Sequence, residues 1–460
     1  MWFWQDKDGD NCNVFLKDRE NQFTFSQVFD AGDQIFDGIG SGVVLIIMGR
    51  DVECVCAYFG ALRKDLIPLL LSPVVTKENL QRYIDAYEPE YVIAPVGFSI
   101  GGYSKLRKLE RFCLYKRDTK SDLDIHSDLS LMLTTSGSTG DPKCVRLSKK
   151  NIQSCTEAIV EYLDMDQERV GISTLPLYYS YGLSTLHNAA FSRSKYVLTD
   201  ASVTDRELWE SMRVNKVTDF QGVPSTFEIL KQMRAKIDLF ETVKYVTQAG
   251  GALKKETAKH FIEFFTENSK NFFIMYGQTE ASPRIAFLPP QKASEKLGSV
   301  GIPIRGGRVT LRDCGLGKNQ GELIYSGPNV ALGYAEGRED LRLGDEFDGR
   351  LPTGDLAGID KDGFIKIIGR ISRFVKVHGQ RVNLDDIENT FSNAGLNAVV
   401  VGRDEKICVC VLSDSEVAAN DLIRAKFRFH PSTRQVVVVD EFPTKNTGKL
   451  DYKKLTESVM

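Results

Sequence analysis

Short apolar runs alternate with amphipathic segments along the first half of the chain. Residues 42–48 (GVVLIIM) and 67–73 (IPLLLSP) are apolar almost throughout, which predicts buried strands, whereas residues 23–39 and 53–66 carry apolar side chains at helical spacing. Strands separated by helical patterns predict a parallel α/β architecture. The polar and weakly periodic segment 97–127 is expected to be a surface connection.

The same alternation continues to about residue 250, and each predicted strand there runs into a loop that carries glycine, serine or aromatic residues. The carboxyl ends of parallel strands lie at one edge of a sheet, where ligands bind, so these loops are predicted to line one cleft. The loops are 134–140 (TTSGSTG), 175–184 (LPLYYSYGLS), 221–225 (QGVPS), 247–253 (TQAGGAL) and 274–282 (IMYGQTEAS).

The first of these loops has the composition of a phosphate-binding loop. Its glycines allow several backbone N–H groups to converge on one anion, its hydroxyls add neutral donors, and Lys143 adds a charge. No Gly-Lys-Ser/Thr run opens a helix here, which excludes the Walker pattern. Considered alone, the stretch is equally compatible with a flexible Ser/Gly surface loop. The predicted phosphate-binding residues are Thr135, Ser136, Gly137, Ser138, Thr139, Gly140 and Lys143.

Composition narrows the class of protein. A chain of 460 residues is expected to form two or more domains, and a net charge of −3 gives no electrostatic case for nucleic acid or an anionic membrane as a partner. Nine cysteines without a CxxC pair predict reduced thiols, and the N-terminus lacks the pattern of a signal peptide. The apolar run 43–48 is too short to span a bilayer. We expect a cytoplasmic protein without membrane insertion.

Four motifs occur in an order that resembles the adenylate-forming superfamily, which contains acyl-CoA synthetases, peptide-synthetase adenylation domains and luciferases. They are TTSGSTGDPK (134–143), YGQTE (276–280), PTGDLAGIDKDGFIKIIGR (352–370) and PTKNTGKLDYKKL (443–455). Segments 321–334 and 375–388 are also similar to the family. The resemblance implies a large α/β N-terminal domain (1–371), with parallel-sheet layers and a small β-rich subdomain. A small mobile α+β C-terminal domain (372–460) would follow.

The resemblance also implies how a nucleotide is held. The ring of Tyr276 would stack on the purine, at a loop where Gly277 permits close approach of the backbone. Gly250, Gly251 and Ala252 match the loop on the adenine side. Without the resemblance, Tyr276 is better explained as an ordinary core aromatic residue.

Polar residues of the same motifs match the family's phosphate, metal and ribose ligands. Thr279 would donate to a phosphate, and the carboxylate of Glu280 would bind Mg²⁺. Asp355 is the acidic residue expected to accept from both ribose hydroxyls, although a turn-forming Asp is also common after Thr-Gly. Arg370 resembles the family arginine that reaches the ribose and phosphate region.

Lys449, in the closing motif, resembles the catalytic lysine of the family. Its ammonium would neutralise charge that develops between the substrate carboxylate and the α-phosphate. In the family the C-terminal domain rotates between two steps, which would present Lys449 first and the loop of Gly379 second. Alignment on Gly369-Arg370 puts Ser372 at the hinge, where the family usually has Asp or Lys, so the hinge assignment stays open.

Two departures from the family concern the substrate. Tyr179 stands where many acyl-CoA synthetases have His, and Cys144 replaces Gly after the loop lysine. We expect Tyr179, Tyr181, Gly182 and Pro224 to line the substrate pocket, although the two tyrosines also fit a packed pair at its wall. Cys144 is expected to be a tolerated small residue and not a nucleophile.

The resemblance implies ATP-dependent activation of a carboxylic acid to an acyl-adenylate with release of pyrophosphate. The acyl group would then pass to a pantetheine thiol, of coenzyme A or of the phosphopantetheine on a carrier protein. ATP, Mg²⁺ and the thiol are therefore the expected cofactors, and a small carboxylic acid the expected partner. One alternative activates an amino acid for a carrier protein or an amine, but residues 175–190 lack the Asp that would hold its ammonium group. A second alternative, an inactive nucleotide- or acyl-binding relative, is disfavoured because the expected catalytic residues are all present.

Overall fold

The computed structural model describes residues 2–5, 12–19, 21–119, 124–134, 142–315, 317, 319–378, 380–427, 429–444 and 450–460. The chain divides into two compact units, of which the first comprises residues 1–309 and 325–351 and the second residues 310–324 and 352–460. A domain boundary at 371–372 stays a prediction, since compactness does not define the body that moves. Within the described residues, no helix has the length and apolar character needed to cross a membrane.

Several helices begin where the sequence supplies a side-chain cap. The hydroxyls of Thr24, Thr76 and Ser148 and the carboxylate of Asp51 each accept from a backbone N–H in the first turn, which satisfies a donor that the helix leaves unpaired. The helices are α1 (Phe25–Ile35), α2 (Val52–Arg63), α3 (Lys77–Tyr87), α4 (Lys149–Tyr162), α5 (Ser180–Ser192), α6 (Arg206–Val214), α7 (Pro224–Gln232), α8 (Lys255–Glu267), α9 (Leu384–Asn393), α10 (Glu416–Lys426) and α11 (Tyr452–Val459).

The strands of the first half follow the apolar runs of the sequence. They are β1 (Val14–Asp18), β2 (Asn21–Thr24), β3 (Val43–Ile47), β4 (Ile67–Leu71), β5 (Tyr91–Pro95), β6 (Tyr103–Lys108), β7 (Phe112–Arg117), β8 (Leu129–Thr134), β9 (Cys144–Ser148), β10 (Val170–Ile172), β11 (Lys195–Leu198), β12 (Asp219–Gly222), β13 (Tyr245–Gln248), β14 (Asn271–Tyr276), β15 (Ala286–Leu288) and β16 (Ile302–Pro303). All residues of β3 and β4 are buried, as expected of strands covered on both faces.

Three consecutive pairs of the later strands form antiparallel hairpins. They are β17 (Arg308–Arg312), β18 (Gln320–Ser326), β19 (Gly333–Ala335), β20 (Arg350–Ile359), β21 (Ile365–Arg370), β22 (Phe374–Val377), β23 (Gln380–Asn383), β24 (Ala398–Arg403), β25 (Lys406–Val411) and β26 (Arg434–Val438). The predicted hairpin at 360–370 is present as β20 and β21, with Gly363 in its turn at a φ of 83°.

Three mixed sheets build the first unit. An eight-stranded sheet has the order β19-β9-β8-β4-β3-β5-β7-β6, a five-stranded sheet the order β12-β13-β14-β15-β16, and a four-stranded sheet the order β10-β11-β1-β2. Strands β8, β4, β3 and β5 run parallel, as do β12, β13 and β14. The predicted layers of parallel sheet are therefore confirmed, with antiparallel strands added at the edges.

Residues 97–127 are not merely a surface connection, and this expectation was wrong. The segment contains β6 and β7, which extend the eight-stranded sheet at one edge. The side chains of β7 from Phe112 to Tyr115 are buried, whereas those of β6 are mostly exposed. Because most side chains of β6 face the solvent, its sequence has no apolar alternation, and the strand is recognised by its pairing with β7.

The described residues of the second unit form smaller sheets and three α-helices. It holds most of a four-stranded sheet (β17-β18-β20-β21), the hairpin β22-β23 and the three-stranded sheet β24-β25-β26. The apolar faces of α9 and α10 cover the three-stranded sheet, with Phe391 and Val409 fully buried in that core. This α+β arrangement agrees with the class expected for the C-terminal part.

All nine cysteines are unpaired, and most of them are buried. Cys408 and Cys410 share one face of β25 with their sulfur atoms 3.8 Å apart. Cys54 and Cys56 lie in helix α2.

Candidate active site

The loops that follow three parallel strands meet at one edge of the five-stranded sheet. The loop after β12 begins α7 with Pro224, the loop after β13 carries Gly250 and Gly251, and the loop after β14 carries Thr279 and Glu280. The order β12-β13-β14 places these three loops side by side. The strand-end rule thus predicted their proximity, while the roles of the individual residues stay predictions.

The first turn of α5 contacts two of these loops. The hydroxyl of Ser180 lies 3.1 Å from that of Thr279, and the hydroxyl of Tyr181 lies 2.8 Å from that of Thr247. Glycine at position 182 lets helix α5 pack closely against the backbone of Pro176. A Cβ there would lie 2.1 Å from the carbonyl oxygen of Pro176. The loop at 175–184 therefore joins the same cleft, as the sequence predicted.

The glycine loop after β13 is closely surrounded. Gly250 has a φ of 85°, and a Cβ there would lie 2.6 Å from the hydroxyl oxygen of Tyr179. A Cβ on Gly251 would lie 3.1 Å from Cγ of Pro224. The side-chain amide of Gln248 donates to the carbonyl oxygen of Gly251 at 3.0 Å and fixes the loop from below. These positions need glycine for backbone conformation and for space.

The loop that carries Thr279 and Glu280 is held at its base. Tyr276 pairs with Ala286 in the antiparallel register of β14 and β15, so residues between them form a closed loop. The side-chain amide of Asn329 donates to the carbonyl oxygens of Ala281 and Arg284, at 2.6 and 2.8 Å. A buried amide satisfied in this way fixes the backbone beneath the two polar residues.

Glu280 is oriented by a tyrosine from a distant part of the chain. The hydroxyl of Tyr334 donates to Oε1 of Glu280 at 2.8 Å. Burial raises the pKa of Tyr334, and the negative charge of Glu280 raises it further, so the hydroxyl remains a donor at neutral pH. The Nζ of Lys143 lies 3.9 Å from the ring centroid of Tyr334 and 3.2 Å from Oε1 of Glu336. Tyr334 therefore links the phosphate-loop lysine to the predicted metal ligand.

Tyr179 and Tyr181 pack against each other, with ring centroids 6.4 Å apart. Tyr181 is buried, and Tyr179 caps the start of α5 in a half-buried position. Burial raises the pKa of both tyrosines, and the nearby Arg284 cation opposes this rise. Both hydroxyls therefore stay neutral, and the pair forms an aromatic wall next to the glycine loop.

Asp355 and Arg370 face each other within the second unit. They are partners in the antiparallel register of β20 and β21, and Nε of Arg370 lies 3.1 Å from Oδ1 of Asp355. The Asp355 side chain is 5% exposed and the Arg370 side chain 68% exposed. Thr353 accepts from the backbone N–H of Asp355 at 3.1 Å. This arrangement holds the carboxylate in one orientation, while its binding of a ribose stays a prediction.

Several predicted residues lie outside the described part of the chain. They are Thr135, Ser136, Gly137, Ser138, Thr139, Gly140, Gly379 and Lys449. Ala252 is described and follows Gly251 in the loop after β13, and Gly277 makes the close approach expected of it. A Cβ on Gly277 would lie 1.9 Å from the carbonyl oxygen of Pro283. Cys144 is buried, which raises its pKa to about 12 and agrees with an inert thiol.

The residues present fit a magnesium ion that accompanies a phosphate-bearing substrate. Across the described residues, no three His, Cys, Asp or Glu side chains are grouped closely enough to hold a metal on their own. Mg²⁺ commonly binds through one or two carboxylates together with phosphate oxygens and waters. Glu280, oriented by Tyr334, can supply such a carboxylate.

Sequence reasoning missed three residues that shape the site: Ser180, Asn329 and Tyr334. Asn329 and Tyr334 lie in the segment 321–334, which resembles the family but gave no indication of their partners. Their contacts with Ala281 and Glu280 span 48 and 54 residues of sequence. Only the folded chain brings them together.

Comparison with known proteins agrees with this geometry. Residues 9–335 match the model of the AMP-binding enzyme family, and this chain belongs to that family. It is 22% identical to a 2-succinylbenzoate–CoA ligase of Listeria innocua, over 98% of this chain and 96% of that protein. It is 24% identical to a feruloyl-CoA synthase of Amycolatopsis, over 72% and 70% of the two chains. These relatives confirm the resemblance to adenylate-forming enzymes.

The fold is shared with solved structures. One is o-succinylbenzoate coenzyme A synthetase from Bacillus subtilis in complex with ATP and magnesium ion, at a TM-score of 0.75 and 19% identity. The match covers 96% of this chain and 96% of that one. The predicted fold class, a large α/β part followed by a smaller α+β part, is thereby confirmed.

Proposed function

We propose that this protein activates a small carboxylic acid with MgATP and transfers the acyl group to the thiol of coenzyme A. The observation that carries the proposal is the convergence of Thr279 and Glu280 with the glycine loop and the first turn of α5. That arrangement places the Thr279 hydroxyl and the oriented Glu280 carboxylate beside the tightly packed backbone of the glycine loop. It suits a substrate with both a phosphate and a planar base.

In the first step a carboxylate oxygen attacks the α-phosphorus of ATP, the bond to the β-phosphate oxygen breaks, and pyrophosphate leaves. In the second step the thiolate attacks the acyl carbonyl and AMP leaves with the electrons of the broken C–O bond. Positioning and charge neutralisation account for most of the catalysis in such transfers. Thr279 would donate to phosphate and Lys143 would add positive charge, while Tyr334 fixes the orientation of Glu280, the carboxylate that would hold Mg²⁺.

Coenzyme A is the preferred acceptor, and the phosphopantetheine of a carrier protein is the alternative. Two relatives with high coverage are named as CoA-dependent enzymes. Both acceptors present the same thiol, so the chemistry of the site does not distinguish them. An enzyme that uses ATP and coenzyme A is expected in the cytoplasm, and nine unpaired cysteines suit that reducing compartment.

We also propose that residues from 372 onward form the moving C-terminal domain. Arg373 makes ion pairs with Asp385 and Glu388, at 2.6 and 2.9 Å, which attach it to α9. Arg370, three residues earlier, pairs instead with Asp355. Residues 371 and 372 therefore connect two separately anchored arginines, which supports a hinge at this point.

Pyrophosphate release tests the function. The protein is incubated with MgATP and a panel of fatty, aryl, hydroxy, dicarboxylic and amino acids, each with and without coenzyme A. Release that depends on one class of acid and is accelerated by coenzyme A is expected. Slow release that coenzyme A leaves unchanged would indicate a carrier-protein or amine acceptor, and no release with any acid would contradict the proposal. Glu280→Gln, which keeps the shape of the side chain, provides the matched inactive variant.

A further inference from the structure

Arg284 is a buried cation without a counter-ion. Its side chain is 2% exposed, and its Nε has no hydrogen-bond partner among the described residues. Among the described residues, no carboxylate forms an ion pair with Arg284. A buried charge is costly unless it is paired, so an arginine in this state is either a large structural burden or a binding group.

The groups around Arg284 are neutral. Its guanidinium lies 5.1 Å from the ring centroid of Tyr181. Burial raises the pKa of Tyr162 to about 12 and also raises that of Cys155, while the arginine cation acts in the opposite direction on both. The cation is therefore surrounded by a phenol, a thiol and aromatic rings, and none of them carries a compensating negative charge at neutral pH.

The carboxylate that lines the same cavity is already paired with another arginine. Asp219 lines the same cavity as Arg284, but both of its carboxylate oxygens accept from Arg169, with Nε donating to Oδ2 at 2.8 Å. Arg169 also lies over the ring of Tyr245, at 3.4 Å. This bidentate pair is complete in itself, so it leaves the charge of Arg284 unbalanced.

The cavity beside Arg284 is small, and its lining mixes apolar and polar side chains. Its volume is about 20 Å³, enough for roughly one or two water molecules. Its polar lining includes Tyr181, Thr247 and Gln221, and Oε1 of Gln221 has no partner among the described residues. A group of about the size of a carboxylate fits such a space, whereas a long alkyl chain does not.

Helix α5 contributes both to the cavity and to the contacts of Thr279. Ser180 contacts Thr279, and the next residue, Tyr181, contacts Arg284 and lines the cavity. Arg284 itself follows Glu280 by four positions, on the loop that Asn329 holds. The contact with Thr279 and the lining of the cavity therefore come from consecutive residues of α5.

We propose that Arg284 binds a second carboxylate on the substrate, so that the enzyme activates a compact dicarboxylic acid. This inference rests on the proposed acid-activating function and specifies its substrate class. The guanidinium would supply two parallel N–H donors to the distal carboxylate, a geometry that a neutral group does not match. Binding would pair the buried charge.

Matched acids test the proposal. Succinate is compared with butyrate, glutarate with pentanoate and adipate with hexanoate, in pyrophosphate release with the wild type and with Arg284→Met and Arg284→Lys. We expect the wild type to prefer the diacid of at least one pair. Arg284→Met should lose about 10- to 100-fold in kcat/KM for that diacid, the usual effect of removing a charged hydrogen-bond partner, and leave the monoacid unchanged or improved. Arg284→Lys should retain part of the preference.

Arg305→Met is the control. Arg305 belongs to the same unit, is 56% exposed and pairs with Glu161 at 2.9 Å, so its loss should leave the diacid-to-monoacid ratio unchanged. A thermal melt without acid shows whether Arg284→Met affects folding as well as the binding of the diacid. Removing an unbalanced buried charge should leave the melting temperature of Arg284→Met equal or higher, whereas a structural arginine would lower it.

If no acid supports catalysis, the binding of acids can still test the proposed role of Arg284. Melting temperatures are recorded with AMP and each acid, because a ligand that binds the native state raises the melting temperature. Diacids that stabilise the wild type but not Arg284→Met would support the anion site even if no acid released pyrophosphate, in which event only the proposed activity would fail. Two results would overturn the inference. The diacids could raise the melting temperatures of the wild type and Arg284→Met equally, or the wild type could show no preference for diacids over the matched monoacids.

Discussion

The hydroxyl of Tyr334 donates to Oε1 of Glu280 across 2.8 Å, although 54 residues of sequence separate them. The ring of the same tyrosine lies under the Nζ of Lys143. One side chain thus positions a predicted metal ligand through its hydroxyl and a predicted phosphate ligand through its ring. The two effects can be separated, because phenylalanine keeps the ring and removes the hydroxyl.

Tyr334→Phe is expected to weaken the use of Mg²⁺. Glu280 loses a charge-assisted hydrogen bond and gains freedom to rotate, so the apparent KM for Mg²⁺ should rise by about tenfold while the protein folds normally. Pyrophosphate release over a magnesium titration measures this change. Tyr103→Phe, which removes a hydroxyl donating to Pro89 at 2.7 Å elsewhere in the first unit, is the control. An unchanged magnesium dependence in Tyr334→Phe would contradict the positioning role.

Asp355→Asn is expected to raise the KM for ATP about tenfold and to leave the KM for the acid unchanged. The substitution removes a charged acceptor that the family resemblance assigns to the ribose hydroxyls, and one charged hydrogen bond accounts for a change of this size. Initial rates at varied ATP and acid concentrations give both constants. Asp362→Asn, exposed in the turn of the same hairpin, serves as the control. If Asp355→Asn changed only the free energy of unfolding, the carboxylate would be structural.

Lys449→Ala is expected to block adenylate formation and to spare ATP binding. A charge that acts on the developing transition state affects turnover more than ground-state affinity, and removing such a group costs about 10²- to 10³-fold. Single-turnover formation of acyl-adenylate and the binding of ATP by calorimetry measure the two effects. Lys445→Ala, in the same motif, is the matched control. Normal adenylation by Lys449→Ala would exclude the catalytic assignment.

The sequence was most informative where the apolar pattern and the tertiary burial agree. Strands β3 and β4 are buried on both faces, so their unbroken apolar runs predicted them. The prediction missed strand β6 because most of its side chains are exposed and its backbone pairs with β7 at the edge of the sheet. A method that depends on apolar periodicity has no signal for a polar edge strand.

In the candidate site, too, some features could be predicted from the sequence and others could not. The strand-end rule predicted that the loops of Pro224, Gly250 and Thr279 would meet, because topology alone fixes the ends of parallel strands. It gave no indication of Arg284, since an arginine in a sequence is normally expected at the surface. Whether such a residue is buried and unpaired depends on the packing of α5 and the surrounding strands, which no local pattern records.

A buried histidine gives the fold a dependence on pH that is independent of catalysis. His187 lies in α5, with its Nε2 2.7 Å from the hydroxyl of Tyr58 and its ring 5.1 Å from that of Phe3. Burial lowers the pKa of His187 from 6.5 to about 3 in the folded protein. Between these two values the unfolded chain binds a proton that the folded chain does not, so stability falls as the pH decreases through 6.5.

His187→Gln should therefore reduce the acid sensitivity of folding. Between pH 7 and pH 5 the wild type is expected to lose about 2 kcal/mol more of its free energy of unfolding than the variant, since one pKa unit corresponds to about 1.4 kcal/mol. Urea unfolding at both pH values measures the difference. His260→Gln, at an exposed position of α8, should behave as the wild type. Identical losses in the wild type and His187→Gln would show that His187 is already protonated in the folded protein at pH 5.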